Sequence, residues 1–482
     1  MNRLSRPVFL AVLAAVLAIA GCLGWHRHTQ RRAWQAMIPP LPAPASDAAP
    51  GLAVRLRADL MRLQAWPPDR EALAEFTALC HANGALEEAM AGYRALMVLE
   101  PNEPRWPHLL ASILAGYGRL DEALPLLRRT TVLAPDHRVA WLRWGEALLK
   151  SNAPAAAEAA YREALRRAPG DPYALVGLAR CDLQAGRWTA ARQRLEQAVA
   201  EHPDSASAQS LLATVFDRLG NARGAAAARA RVVDGRQRLE PADDWTEALT
   251  AYCYRPYILL TAAAAAAAGG TPRRALAPLE RALTLAPDDA RLHRQLAKIR
   301  VELGDPAAAR RQFEQAVRLS PDDDTMYQDL IGLLRSEGDV AAVAQAVAQG
   351  LAHCPGSEAL QLEAGLLAAD AGRLDEAVAH LERAIQIRPD QTGAALKLAE
   401  LQFGAGRTEA GVAVLEALLR RHPHDEAARL MLARHGIQTG DARTGARIKP
   451  AEATDAAGGS SPALIALRQD DQRHRGPTPT AP

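Results

Sequence analysis

The residues of this chain best equipped for chemistry are one thiol near the start, a knot of aromatics at the middle and a basic row beyond it. Cys22 follows Ile19-Ala20-Gly21, a small-residue setting suited to acylation of the thiol. Trp245, Tyr252, Tyr254 and Tyr257 lie close together, with three of the chain's 8 tyrosines inside six residues. They offer either a stacking platform for a partner or ligand, or an apolar plug. Arg291, Arg294 and Lys298 recur at i, i+3 and i+7, one face of a helix that can meet an acidic segment or simply be solvated. No catalytic set accompanies them. HExxH, CxxCH, P-loop and GxSxG patterns are absent from the sequence. His26 and His28 sit among arginines, a flank rather than a ligand pair. Cys80, Cys181, Cys253 and Cys354 are each alone in their segment, so neither disulfides nor zinc sites are expected. Carboxylate pairs such as Glu87-Glu88 and Asp375-Glu376 begin helices, where they complement the helix dipole. The expectation is a protein with no catalytic residues, no cofactor and no metal.

The elements that carry these residues are set out by a strict beat. Nine prolines fall on a 34-residue grid: Pro101, Pro135, Pro169 and Pro203, then Pro287, Pro321, Pro355, Pro389 and Pro423. A helix-ending slot runs Gly84, Gly118, Asn152, Gly186, Gly220, Gly270, Gly304, Gly338, Gly372, Gly406 and Gly440. Gly and Asn tolerate the left-handed conformation that closes a helix. Five residues later comes a small residue, for example Ala89, Ala157, Ala309 and Gly411, and a second small slot includes Ala164, Ala282 and Gly350. Small side chains there let two helices approach closely. Each grid proline closes a repeat, and the Asp after several of them (Asp136, Asp204, Asp288, Asp322, Asp390) is placed to cap the next helix.

This pattern resembles the tetratricopeptide repeat family. The third repeat shows it best, with Trp141, Trp144, Gly145, Ala157, Tyr161, Ala164 and Pro169 in the slots that the family fills with large aromatic, apolar, small and helix-ending residues. The resemblance implies an all-α fold, a right-handed superhelical solenoid of helix pairs. Ten repeats are framed: 70–103, 104–137, 138–171, 172–205, 206–239, 256–289, 290–323, 324–357, 358–391 and 392–425. Residues 52–65 (Leu56, Leu60, Leu63) and about 426–440 supply N- and C-terminal capping helices. In this family extended peptides or helices bind along a concave face lined by the first helix of each repeat, which makes a protein partner the expectation here. Leu362, Leu366, Leu396 and Leu430 fall on that face in successive repeats, and contiguous exposed apolar surface normally marks a binding site.

The grid breaks once. Gly220 and Gly270 stand 34 plus 16 residues apart, which places an aromatic-rich insertion at 240–255 between an N-terminal array (52–239) and a C-terminal array (256–440). Repeat five beside it is weak, with Gln237 where proline is expected and Arg229 in an apolar slot. The insertion reads as a plug that seals the joint between the two arrays, or as an aromatic platform for a partner.

The N-terminus places the chain at a membrane. Arg3 and Arg6 precede an apolar run from Val8 to Trp25. Residues 1–25 fit a lipoprotein signal ending at Cys22, or an uncleaved spanning helix just long enough for a hydrocarbon core of ~30 Å. The sequence is thus identified as a bacterial membrane-anchored member of the family. Signal-like ordering favours repeats in the periplasm; basic residues after the segment permit an inner-membrane anchor with cytoplasmic repeats. Residues 26–51 form a basic and Pro/Ala-rich linker, and 441–482 turn Gly/Ser/Pro/Thr-rich, a composition that favours disorder. The one apolar island in that tail, at 463–467, is able to fold back into the leucine groove.

Composition agrees with a solenoid of thin layers: 49% hydrophobic residues with only 4% aromatic leaves Ala and Leu to fill the core. A net charge of +2 argues against nucleic acid as a partner. Only Lys150, Lys298, Lys397 and Lys449 are lysines, so arginine supplies nearly all of the 57 basic residues, a bias typical of GC-rich bacterial genomes. The function expected is that of a membrane-tethered scaffold or adaptor in cell-envelope assembly or secretion. The alternative is a structural subunit of a stable envelope complex or homo-oligomer.

Overall fold

Helix α17 shows how the repeats are specified. It spans Pro306–Leu319, with Pro306 in the first turn, where a missing N–H does no harm, and Asp305 accepting the Ala308 N–H as cap. Its apolar residues recur at i, i+4, i+7 and i+8 (Ala309, Phe313, Ala316, Val317), and all four are buried. Removing the Phe313 ring from water is worth roughly 2–3 kcal/mol. Ala309 and Ala316 hold the backbones close enough for that ring to pack.

The computed structural model describes residues 6–42, 50–203, 205–232 and 241–439, with side chains from Cys22 onward except at 50 and 436–439. Every regular element among them is helical. In chain order α1 (Arg6–Met37) and α2 (Pro50–Gln64) lead into five pairs: α3 (Arg70–Ala82) with α4 (Leu86–Leu99), α5 (Arg105–Gly116) with α6 (Leu120–Leu133), α7 (Arg138–Lys150) with α8 (Pro154–Arg167), α9 (Pro172–Gln184) with α10 (Trp188–Glu201), and α11 (Ala206–Arg218) with α12 (Ala222–Val232). The one-turn helix α13 (Asp244–Glu247) and a 3₁₀ turn (Ala248–Tyr252) follow. Five more pairs complete the series: α14 (Pro256–Ala268) with α15 (Leu276–Leu285), α16 (Ala290–Glu302) with α17, α18 (Asp324–Glu337) with α19 (Val340–His353), α20 (Glu358–Asp370) with α21 (Leu374–Ile387), and α22 (Thr392–Gly404) with α23 (Thr408–Arg421), capped by α24 (Glu426–Thr439).

The chain divides into two compact units, Met1–Ser320 and Pro321–Pro482. Within each, helices pack on their sequence neighbours, and first helices of successive pairs touch, as α7 does α9 and α18 does α20. These are the ten helix pairs with two capping helices that the periodicity predicts. Gly84 through Gly406 all adopt positive φ in their slot, and Asn152 does so at φ 59°; Gly440 lies outside the described residues. The first small slot is fully buried at Ala89, Ala123, Ala157, Ala191, Ala225, Ala275, Ala309 and Ala377.

The caps correct the sequence reading. The capping residue is the second after the grid proline, not the first: Asp171, Ser205, Asp289, Asp323 and Ser357 each accept a first-turn N–H. The proline and its successor are consumed by the turn, so Asp288 and Asp322 precede the cap by one position. Asp204 lies outside the described residues.

At the N-terminus α1 continues through residues that read as linker. Trp34 near its end is buried, and its indole N–H donates to the Leu63 carbonyl at 2.7 Å. Leu63 of α2 is completely buried and Leu60 partly so, as a capping helix requires. Among the described residues no helix is long and apolar enough to cross a membrane. Most side chains of the apolar run 8–25 lie outside that description, as do residues 441–482 with the island at 463–467.

Candidate functional site: the first-helix groove and the strap across it

The 34-residue register, corrected for the insertion, gives one groove position per first helix: Ala74, His108, Leu142, Val176, Ser210, Leu260, Arg294, Gln328, Leu362, Leu396 and Leu430. Of the polar residues in this row only His108 is buried, and its surroundings explain it. His108 is completely buried although it stands where the groove faces outward, because the insertion lies over it.

Residues 243–255 form a strap that runs back across the first three repeats. Asn83, at the end of α3, holds its backbone at two points: Asn83 Nδ2 donates to the Tyr252 carbonyl at 2.9 Å, and the Tyr254 N–H donates to Asn83 Oδ1 at 2.8 Å. Leu249 is buried in the core that also contains Phe76, Leu79 and Leu114, and Trp245, Tyr252 and Tyr254 pack partly buried against it. On the other side Arg281 lies over the Tyr254 ring at 4.8 Å and donates to the Cys253 carbonyl at 3.3 Å. Arg274 pairs with Glu247 at 2.9 Å and with Asp244. The strap therefore ties α3, α5 and α7 to α15.

Its polar anchor is Asp243. That carboxylate caps α13, accepting the Trp245 N–H on Oδ1 at 3.3 Å. Its Oδ2 accepts from His108 Nε2 at 2.8 Å, Thr246 Oγ1 at 2.9 Å and Arg143 Nε at 3.2 Å. His137 Nε2 stands 3.9 Å from Oδ1. Burial alone would raise the Asp243 pKa, but the hydrogen bond and charge of His108, with Arg143 and Thr246, hold it well below the usual carboxylate range. The Trp245 ring stacks on His137 (centroids 3.8 Å, 20° between planes) and meets His108 edge-on at 5.0 Å. Burial, followed by the neighbouring His108, lowers the His137 pKa.

Past the strap the described residues leave a cavity in the groove. A cavity of about 210 Å³ lies over α7, α9 and the start of α11, lined by Leu142, Arg143, Tyr173, Val176, Arg180 and Leu211 among others. Its floor is Tyr161, reaching up from α8 between two glycines. A Cβ at Gly177 would stand 2.4 Å from that ring, and one at Gly145 2.9 Å. Arg180 is exposed and has no ion pair or hydrogen bond among the described residues. The second unit has a groove cavity of its own, about 580 Å³, lined by Gln328, Ile331, Arg335, Leu362, Glu363 and Arg388 among others.

The residues singled out by sequence divide accordingly. Leu362 lines the second-unit cavity. Leu366, Leu396 and Leu430 are half-buried on their helices, with Leu396 packed into the core of the last repeat. Arg291 is turned onto its own cap, donating to both oxygens of Asp289 at 3.0 and 2.7 Å, and neither Arg294 nor Lys298 is free. Trp245, Tyr252 and Tyr254 have their faces against the array, whereas Tyr257 is 73% exposed. Cys22 is exposed on α1. Sequence reasoning passed over Asn83, His108, His137 and Asp243. His108 alone carried a signal, a polar residue at a groove position in a helix otherwise apolar there.

Tetratricopeptide repeat profiles match residues 148–215, 266–334 and 368–435, and a second profile of the same description matches 108–172 and 333–392. Together they cover more than half of the chain, which belongs to the tetratricopeptide repeat family. Repeats of this kind form protein–protein interaction scaffolds rather than catalytic sites. Among characterised relatives the chain is similar to cellulose synthase operon protein C of Pseudomonas fluorescens (strain SBW25), 30% identical over 145 residues. That match takes in 28% of this chain and 11% of the relative's length. Among solved structures, MamA of Desulfovibrio magneticus RS-1 is 21% identical over 34% of this chain and 93% of its own, with a TM-score of 0.33. A human IFIT1 dimer with m7Gppp-AAAA is 17% identical over 83% and 96%, with a TM-score of 0.29.

Proposed function

We propose that the chain is a membrane-tethered scaffold that receives an extended or helical segment of a protein partner in the first-helix groove, in cell-envelope assembly or secretion. The observation that carries this is the cavity over α7 and α9. It is concave, floored by a fixed tyrosine, apolar at Leu142, Val176 and Leu211, and edged by Arg180, which has no ion pair among the described residues. An apolar floor with a few polar groups at its edge is how a groove binds and orients a segment. The strap supports the reading by example: it is a segment of the chain's own, seated on the neighbouring stretch of that groove through one amide clamp and several aromatics. The tether rests on Arg3, Arg6, the apolar run from Val8 to Trp25 and the small residues before Cys22.

The test compares the proteins that copurify with the full chain from detergent-solubilised membranes. Val176→Glu with Arg180→Glu in the groove should deplete a specific partner at least tenfold, the loss expected when a buried contact carries ~1.4 kcal/mol or more. Gln193→Glu, exposed on the second helix α10, should leave it bound. Equal recovery from both variants would rule out the groove.

A further inference from the structure

We propose that His108, His137 and Asp243 bind one divalent transition-metal ion, which fastens the strap to the first-helix groove. The three residues come from separate elements: His108 from the first turn of α5, His137 from the cap of α7 and Asp243 from the start of the strap. Each offers one donor atom, and the three donors lie within 4.8 Å of one another. Around an ion with bonds of about 2.0–2.1 Å, tetrahedral donors stand about 3.3 Å apart. Asp243 Oδ2 lies 2.8 Å from His108 Nε2 and its Oδ1 lies 3.9 Å from His137 Nε2, distances on either side of that value. The widest gap must close by about 1.5 Å at most, a matter of side-chain rotation.

The donor chemistry selects the ion. Two imidazoles and one carboxylate suit zinc, cobalt or nickel, whereas magnesium and calcium prefer all-oxygen sets. His137 Nε2 is a buried nitrogen with no hydrogen bond. Binding exchanges the His108–Asp243 hydrogen bond for bonds to the ion, while Thr246 and Arg143 keep hold of Oδ2. Such outer partners commonly fix a ligating carboxylate. Trp245, stacked on His137, screens one side of the site from water. Among the charges nearby, Arg143 opposes a cation and Asp244 favours one. Because the donors sit on both strap and array, the ion favours the docked strap over any released one.

The test is a cobalt(II) titration of the untagged, metal-stripped full chain in detergent, followed by visible absorption. The expected result is ligand-field bands that saturate near one equivalent and are displaced by zinc. His137→Ala should weaken binding at least tenfold, and His137→Gln, which keeps a polar group under Trp245, carries the same test should the alanine variant fail to fold. A His26→Ala/His28→Ala variant, which removes the exposed histidine pair of α1, should bind as the parent does. Absence of bands up to ~1 mM cobalt, binding unchanged in the folded His137 variants, or binding lost with His26 and His28 would each overturn the proposal.

Discussion

Asn83 and Tyr254 are joined across 171 residues of chain: the side-chain amide of one accepts the backbone N–H of the other at 2.8 Å while donating to Tyr252. The amide pairs with the strap as a neighbouring β-strand would, satisfying a donor and an acceptor that the strap's 3₁₀ turn leaves over. Asn83→Ala should destabilise the first unit by about 1–3 kcal/mol, the usual consequence of stranding part-buried backbone groups. The same variant should speed hydrogen exchange at the Tyr254 amide. Protection unchanged from the parent would mean that the strap is held by its aromatics alone.

Two glycines in first helices should respond in opposite directions. Gly177 lies against the Tyr161 ring, where a Cβ would approach to 2.4 Å, so Gly177→Ala should destabilise by ~1–3 kcal/mol through overpacking. Gly332, inside α18, has nothing within 4 Å of the place a Cβ would take, so Gly332→Ala should stabilise by about 0.5–1 kcal/mol. Denaturant unfolding of both variants checks the pair of signs.

His81 gives the fold an acid limit. Burial lowers its pKa from 6.5 to about 4, and its Nδ1 lies 2.9 Å from the Tyr93 hydroxyl. The folded value lies below the unfolded one, so the unfolded chain takes up the proton more readily. Stability linked to this group is complete above pH 6.5 and is lost as the pH falls toward 4, by about 3 kcal/mol in all. His81→Asn should flatten this limb between pH 6.5 and 4.5, as read from denaturation midpoints. Parallel profiles would assign the acid sensitivity elsewhere.

The cysteines should separate by reactivity. Cys80, Cys181 and Cys253 are buried, and burial pushes their pKa values up, that of Cys181 to about 11. Little thiolate is then present at neutral pH, so maleimide should reach these three only in denaturant. Cys22 is exposed, and it should label at once unless it is acylated. Intact mass of the membrane form distinguishes the two outcomes at that residue.

What the sequence revealed and what it hid follow from range. Prolines, positive-φ glycines and small-residue slots act within one helix pair, so the ten pairs and both capping helices were legible from spacing. The cap position slipped by one because two residues of each proline turn look equally suited, and only the backbone decides between Asp288 and Asp289. The strap was legible as an interruption, with its aromatics open to either a plug or a partner platform. Its destination was not: no local rule connects Asp243 with His108, or Tyr254 with Asn83. In the basic row Arg291 closes on Asp289 two residues away, a local pairing that face-counting overlooks.

The chain's own strap covers the groove over the first two repeats and reaches the start of the third, so the proposed function puts a partner in the groove beyond it. A photo-crosslinking residue placed in living cells at groove positions 108, 176, 210 and 362, with 193 on α10 as the outer-face control, tests this division of the groove. Partner crosslinks are expected at 176 and its open neighbours, an internal crosslink to the strap at 108, and none at 193. Partner crosslinks at 193 with none at 176 or 362 would contradict it.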